Sequence, residues 1–311
     1  MLCNSIKDLI GNTPLYKANN IMKYFGLKGN LYLKLERFNA TGSSKDRLAY
    51  EIIKTNLDNN VINKDTYILE ATSGNTGISI ASICTSLGLK CIIVMPSNMS
   101  KERISFIEAL GGKVVLSDAS LGMKGSIEVL DKLKKGYKNH FVLDQFNNEL
   151  GILAHYKTTG VEIYNDLDGK VDYFISPIGT GTTFTGTSKY LKEKNSNIKC
   201  IGVEAKDSNL LNGGKANTHL IQGISANFIP SVLDRSLLDY VYDCSNSDSY
   251  YYCNKIAKLE GILCGISSGA SLACCIDLMK KDECIGKNIV AILPDSGERY
   301  MSTGVFNGEF K

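Results

Sequence analysis

Between residues 67 and 293, apolar runs of strand length alternate with segments of helical spacing, and this order constrains the fold more than any other feature. Tyr67-Ile-Leu-Glu70, Cys91-Ile-Ile-Val-Met95, Lys113-Val-Val-Leu116 and Phe141-Val-Leu143 predict four strands. Helices are expected between them over 78–87, 101–110 and about 125–135. After Gln145-Phe-Asn-Asn148 the alternation resumes, with helix 151–165, strand 172–177, helix 184–193 and strand 199–203. Helices 247–260 and 268–281 then lead to strand 288–293. Upstream, Leu31-Tyr-Leu-Lys-Leu-Glu36 alternates as a half-buried strand should, and 47–54 has helical spacing. Strand and helix in turn predict parallel sheets covered on both faces, an α/β fold. Residues 205–235 hold several glycines without a sustained period, which predicts long loops around a binding site.

The chain has 311 residues, more than one ordinary core accommodates, so one large or two interleaved domains are expected. At 43% hydrophobic and 22% charged it is globular. The net charge of +3 comes from 35 basic and 32 acidic residues spread along the chain, with no basic block for nucleic acid. Lys134-Lys135 and Lys280-Lys281 read as solvated faces. Runs such as Cys91–Met95 are too short to span a bilayer, and the segment up to Asp8 lacks the pattern of a secretory signal. The ten cysteines include no C-x-x-C pair, and His140, His155 and His219 have no metal-ligand spacing. A reduced, cytoplasmic protein without structural metal is the expectation.

Four turns at helix starts are candidates to carry chemistry, three of them between a strand and a helix. Thr41-Gly-Ser-Ser-Lys-Asp-Arg47 delivers one lysine to a helix start. A phosphate-binding loop would need glycine before that lysine, and Ser44 stands there, which leaves a Schiff-base amine or an ordinary solvated lysine. Glu70-Ala-Thr-Ser-Gly-Asn-Thr-Gly77 offers backbone N–H groups and hydroxyls to a carboxylate or phosphate, and equally serves as an elaborate helix cap. Gly179-Thr-Gly-Thr-Thr183 suits a monophosphate. A dinucleotide site would want glycine where Phe184 stands, although Glu204 lies about where a ribose-binding acid would. Gly265-Ile-Ser-Ser-Gly-Ala270 opens a further helix, and its serines alone are capping residues. A lysine, a phosphate cradle and a carboxylate cradle together are what an amino-acid enzyme using pyridoxal 5′-phosphate requires.

The chain resembles the cysteine synthase (O-acetylserine sulfhydrylase) family, fold-type II pyridoxal-phosphate enzymes that include cystathionine β-synthase and are tryptophan synthase β-like. The resemblance runs nearly the whole length through motifs kept in order. They are Ile10-Gly-Asn-Thr-Pro-Leu15, Lys34-Leu-Glu36, Gly42–Arg47, Thr72–Gly77, His155 with Lys157-Thr-Thr-Gly160, and Gly179–Thr183. Ile221-Gln-Gly223, Phe228-Ile-Pro230, Gly265–Ala270 and Pro294-Asp-Ser-Gly-Glu-Arg-Tyr300 complete the set. The resemblance implies two interleaved α/β domains with mostly parallel sheets, a smaller mobile one over 39–150 and a larger one combining 1–38 with 151–311, the cofactor lying in the cleft between. It implies pyridoxal 5′-phosphate, with Lys45 as the Schiff-base lysine that later moves the substrate's α-proton. Asn75 would bond the cofactor's 3′-oxygen, and Gly179, Thr180, Gly181, Thr182 and Thr183 its phosphate. Ser267 would face the pyridine nitrogen as a neutral partner, which favours β-elimination over transamination. Thr72, Ser73, Asn75, Thr76 and Gln145 would bind the substrate carboxylate, with Gly223 also at the substrate.

The implied activity is a transferase making L-cysteine and acetate from O-acetyl-L-serine and sulfide, through an α-aminoacrylate. Alternatives on the same intermediate are sulfide release from L-cysteine and cystathionine synthesis from serine. An alternative of another class is a catalytically weak partner for another protein's C-terminus. A homodimer is implied, and a serine acetyltransferase C-terminal peptide is a partner the site could take. The chain departs from the family pattern at Ala40 and Ala71, where proline is usual, and at Thr182, where a third glycine is common. Thr182 is tolerable there if its φ is negative. The loop usually Gly-Ile-Gly-Ala-Gly is here Gly223-Ile-Ser-Ala-Asn227, which bears on leaving group and nucleophile and not on the Schiff-base chemistry.

Overall fold

The apolar runs form parallel strands because each is followed by a helix that returns the chain to the same edge. The computed structural model describes residues 2–72, 74–99 and 101–307. In chain order the elements are β1 (Leu15–Lys17), α1 (Asn19–Phe25), β2 (Asn30–Leu35), α2 (Lys45–Asp58), β3 (Tyr67–Ala71), α3 (Asn75–Leu87), β4 (Lys90–Pro96), α4 (Lys101–Ala109) and β5 (Lys113–Ser117). There follow α5 (Gly122–Gly136), β6 (His140–Val142), α6 (Leu150–Lys157), α7 (Thr159–Asp166), β7 (Tyr173–Pro177), α8 (Thr182–Lys194) and β8 (Lys199–Ala205). The chain closes with β9 (Tyr240–Cys244), α9 (Asn246–Glu260), α10 (Ile266–Met279) and β10 (Asn288–Leu293). Among the described residues, no helix is long and apolar enough to cross a membrane.

The chain divides into two units. The smaller comprises Asn39–Gly151 with the residues up to Ile10, and the larger comprises Gly11–Phe38 and Ile152–Lys311. Residues 2–10 thus group with the smaller unit, whereas 11–38 join the larger.

The smaller unit holds a parallel sheet in the order β5-β4-β3-β6. Leu69, Ala71, Ile92 and Val94 alternate onto one face, where Leu130 of α5 packs. The larger unit holds a sheet in the order β1-β2-β10-β7-β8-β9, parallel except for the antiparallel β1–β2 pair. Strand β10 shows the period of two that a doubly covered strand needs. Ile289, Ala291 and Leu293 face α9 and α10, while Val290 and Ile292 face α7 and α8. Phe184, where a dinucleotide site would want glycine, stacks on Phe174 of β7 with ring centroids 6.4 Å apart. Both rings are buried, each stabilising the start of α8 by about 2–3 kcal/mol.

Three elements lie outside the predicted pattern: β1, α1 and β9. The single helix expected over 151–165 is two, broken at Thr158, whose φ of −123° and ψ of −75° leave the helical region. Its hydroxyl bonds back to Ala154 O at 2.6 Å and so competes with the helix ladder.

Candidate active site

In an open parallel sheet, ligands bind beyond the carboxyl ends of the strands where the strand order reverses. Each unit has one such point. In the smaller sheet β3, β4 and β5 run one way and β6 returns to the other side of β3, so the reversal lies between β3 and β6. The loops leaving those two strands hold Thr72–Thr76 and Gln145. In the larger sheet the reversal lies between β7 and β10. The loop leaving β7 leads into Gly179–Thr183, and the loop leaving β10 meets the start of α10, which carries Ser267, where Gly265 N donates to Asp295 O at 3.1 Å.

Lys45 occupies the first position of α2, half-buried, with its N–H donating to Ser43 Oγ at 3.2 Å. Gly42, at φ 79°, makes the turn. Asp46 then ties the turn down: its carboxylate accepts from Thr41 N and Thr41 Oγ1, both at 2.6 Å, and from Ser79 Oγ of α3 at 2.5 Å.

At the second turn Thr72 and Thr76 are buried, and Asn75 is the half-buried first residue of α3. Gly74 N donates to Thr72 Oγ1 at 3.3 Å. Thr76 Oγ1 donates to Gln145 Oε1 at 2.6 Å, which brings two predicted carboxylate ligands together across 69 residues. Ser73 lies outside the described residues. Beneath the turn, Glu70 accepts from Asp144 N at 2.8 Å and Gln145 N at 3.4 Å, holding Asp144 at a left-handed φ of 55°. Burial pushes the Glu70 carboxyl up to about 8, against the lowering effect of those two N–H groups.

At the third turn Gly181 caps α8 at φ 87°, a backbone that favours glycine. Thr182 is not among the residues with positive φ, so its side chain is tolerated. A Cβ on Gly179 would stand 2.2 Å from Gly223 O, so the two predicted site glycines lie against each other. Thr180 and Thr182 hydroxyls lie 3.0 Å apart. Thr183 Oγ1 meets His155 Nε2 at 3.1 Å, and His155 Nδ1 meets Thr159 Oγ1 at 2.9 Å, with His155 wholly buried. When the imidazole carries its proton on Nε2, it donates to Thr183 Oγ and leaves the Thr183 hydrogen to point at an anion. Ser267 is the second residue of α10 and is buried.

The ribose-acid role for Glu204 does not survive. Both of its oxygens accept from backbone, Leu211 N and Asn212 N at 3.0 Å each. Burial lifts this carboxyl to about 7.

Asp46, Glu70 and His155 were not singled out as working residues from sequence. The available signal was a charged or titratable side chain inside an otherwise apolar element, as in Tyr67-Ile-Leu-Glu-Ala71. Among the described residues no cluster of His, Cys, Asp and Glu could hold a metal ion, and the ten cysteines are free thiols.

Residues 6–295 match the family described as pyridoxal-phosphate dependent enzyme. The chain is 44% identical over 301 residues to "Cysteine synthase B" of Campylobacter jejuni, covering 97% of this chain and 98% of that protein. Its structure is similar to cysteine synthase (OASS) from Entamoeba histolytica, with a TM-score of 0.96 at 35% identity, covering 100% of this chain and 93% of that one. It is also similar to a hydrogen sulfide-producing enzyme from Fusobacterium nucleatum, with a TM-score of 0.93 at 46% identity, covering 97% and 99%. With motifs, fold and both switch-point loops in agreement, the chain belongs to the pyridoxal-phosphate dependent enzyme family.

Proposed function

We propose that the chain makes L-cysteine and acetate from O-acetyl-L-serine and sulfide, a β-replacement at the amino acid's Cβ. The observation that carries this is the phosphate cradle at Gly179–Thr183, pressed onto Gly223 O, in a chain 44% identical to a cysteine synthase over nearly its whole length. The cradle fits pyridoxal 5′-phosphate: backbone N–H groups of a helix start, flanking hydroxyls and no side chain in the way. Ser267 fits as well, a neutral buried hydroxyl at the start of α10. When bound, pyridoxal 5′-phosphate supplies an electron sink for the substrate's α-carbon.

Gly179, Thr180, Gly181, Thr182 and Thr183 would hold the phosphate, Asn75 the 3′-oxygen and Ser267 the ring nitrogen. Thr72, Ser73, Asn75, Thr76 and Gln145 would hold the substrate carboxylate, with Gly223 bordering the substrate. The Lys45 amine takes the α-proton as general base. The Cβ–O bond then breaks with loss of acetate, sulfide forms the Cβ–S bond, and the same amine returns a proton to Cα. A second reading, sulfide release from L-cysteine, is favoured by the similarity to the Fusobacterium enzyme. We infer in addition a homodimer in the cytoplasm and a carboxylate turn able to take a serine acetyltransferase C-terminal peptide.

The test is visible absorbance of protein loaded with pyridoxal 5′-phosphate. A band that moves with O-acetyl-L-serine and returns on adding sulfide supports the first reading. A band that ignores O-acetyl-L-serine and answers to L-cysteine supports the second. No band after incubation with the cofactor overturns both.

A further inference from the structure

Two residues stand in backbone conformations that L side chains rarely adopt: Ser225 at φ 48° and Asn227 at φ 65°. With Gly223 at φ 93°, they sit at alternate positions of one loop. Glycine would adopt all three freely, so a non-glycine residue there carries strain that needs a compensating contact. Each side chain has one. Ser225 Oγ accepts from the N–H of Ala205, the last residue of β8, at 2.8 Å. Asn227 Oδ1 accepts from the hydroxyl of the buried Ser208 at 2.8 Å.

The backbone of Ser225 is engaged as well. Its N–H donates to Ile178 O at 2.9 Å, one residue before Gly179, and its carbonyl meets His219 Nε2 at 3.1 Å. Ser225 therefore joins the end of β7 to the end of β8, its N–H to one and its hydroxyl to the other. A glycine would keep the first tie and lose the second. On the far side, the segment after β8 is held by Glu204 through Leu211 N and Asn212 N. The two loops line one pocket, with Gly179, Glu204, Ser208, Ser225 and Asn227 among its walls.

We propose that Ser225 and Asn227 are positioning residues that latch the 223–230 loop onto the 204–212 segment. They fix the pocket wall beside Gly179 and Gly223 and so select the second substrate. The selection rests on the β-replacement reading above; the latch itself does not. A loop held on both sides presents one wall geometry to the incoming sulfur nucleophile, whereas a glycine loop samples several.

The test is a Ser225→Gly/Asn227→Gly double variant of the full chain, loaded with pyridoxal 5′-phosphate. Amide hydrogen exchange in 205–212 and 223–230 should quicken by about tenfold or more, with the two sheets unchanged. Asn227→Asp keeps both the acceptor oxygen and tolerance of positive φ, so with Ser225 intact it should retain wild-type exchange. In steady state, the KM for sulfide should rise several-fold more than the KM for O-acetyl-L-serine. Unchanged exchange in 205–212 overturns the latch. Faster exchange with both KM values moved equally overturns its role in selection. If the wild-type protein shows no β-replacement, the exchange arm still decides the latch.

Discussion

The turns after β3 and β7 occupy equivalent places, each beyond the strand ends at a reversal of strand order, yet different groups support them. Behind Gly179–Thr183 stand His155, between two threonine hydroxyls, and a helix start resting on stacked phenylalanines. The turn after β3 is backed instead by an acid, Glu70, which accepts from Asp144 N and Gln145 N. Burial raises the Glu70 carboxyl to about 8, so that an acid placed at the proposed carboxylate turn carries little charge at neutral pH. A cradle can thus use an acid as scaffold, provided the fold keeps the proton on it.

The sharpest way to separate the two cradles is Gly179→Ala. The added methyl meets Gly223 O at 2.2 Å, and overpacking of this kind costs about 1–3 kcal/mol. Titration with pyridoxal 5′-phosphate should show affinity down by about 100-fold, with far-UV circular dichroism unchanged. Cofactor affinity within twofold of wild type would mean that the cradle does not hold the phosphate. Thr76→Val is the counterpart at the other turn. It removes the donor to the buried Gln145 Oε1, a loss of about 1–3 kcal/mol, and should raise the KM for O-acetyl-L-serine about tenfold. Cofactor affinity should stay put; if it falls in parallel, the two turns are not distinct in role.

The smallest effect is Glu70→Gln, read as stability against pH. The folded carboxyl is raised above its ordinary value of 4.5, so between about 4.5 and 8 the folded state binds more protons than the unfolded. Wild-type stability should therefore fall as pH rises through that window, by on the order of 1 kcal/mol per pH unit. The Glu70→Gln protein should show a flatter course, the difference being roughly 2 °C in Tm per pH unit. Parallel Tm curves would show that Glu70 titrates normally and that burial does not raise it.

Much of the fold was legible because its signals are local. The strands from 67 to 143 and from 172 to 203 are runs of β-branched and apolar residues, and the lysine turn announces its helix through Gly42 and Ser43. What was missed depends on which partner a group takes, near or far. Strand β1 is three residues long and antiparallel, and β9 is an edge strand whose alternation is diluted by Asp243. The break at Thr158 depends on a hydroxyl choosing Ala154 O, a choice the helical period does not reveal. Among the candidate residues, the glycines and hydroxyls of the four turns stood out, whereas Asp46, Glu70 and His155 act through bonds to residues 4 to 75 positions away.

By itself, the order of residues determined the alternation of strand and helix, the hydrogen-bonding groups that each turn offers and the family to which the chain belongs. These follow from short-range sterics and from the hydrogen-bonding groups each side chain carries. Only the tertiary structure decided that burial raises the Glu70 carboxyl, that Gly179 lies against Gly223, and that Ser225 and Asn227 take a glycine backbone. Such states come from burial and from contacts between distant segments. The free energy that maintains them lies in the packed surroundings, where no local pattern records it.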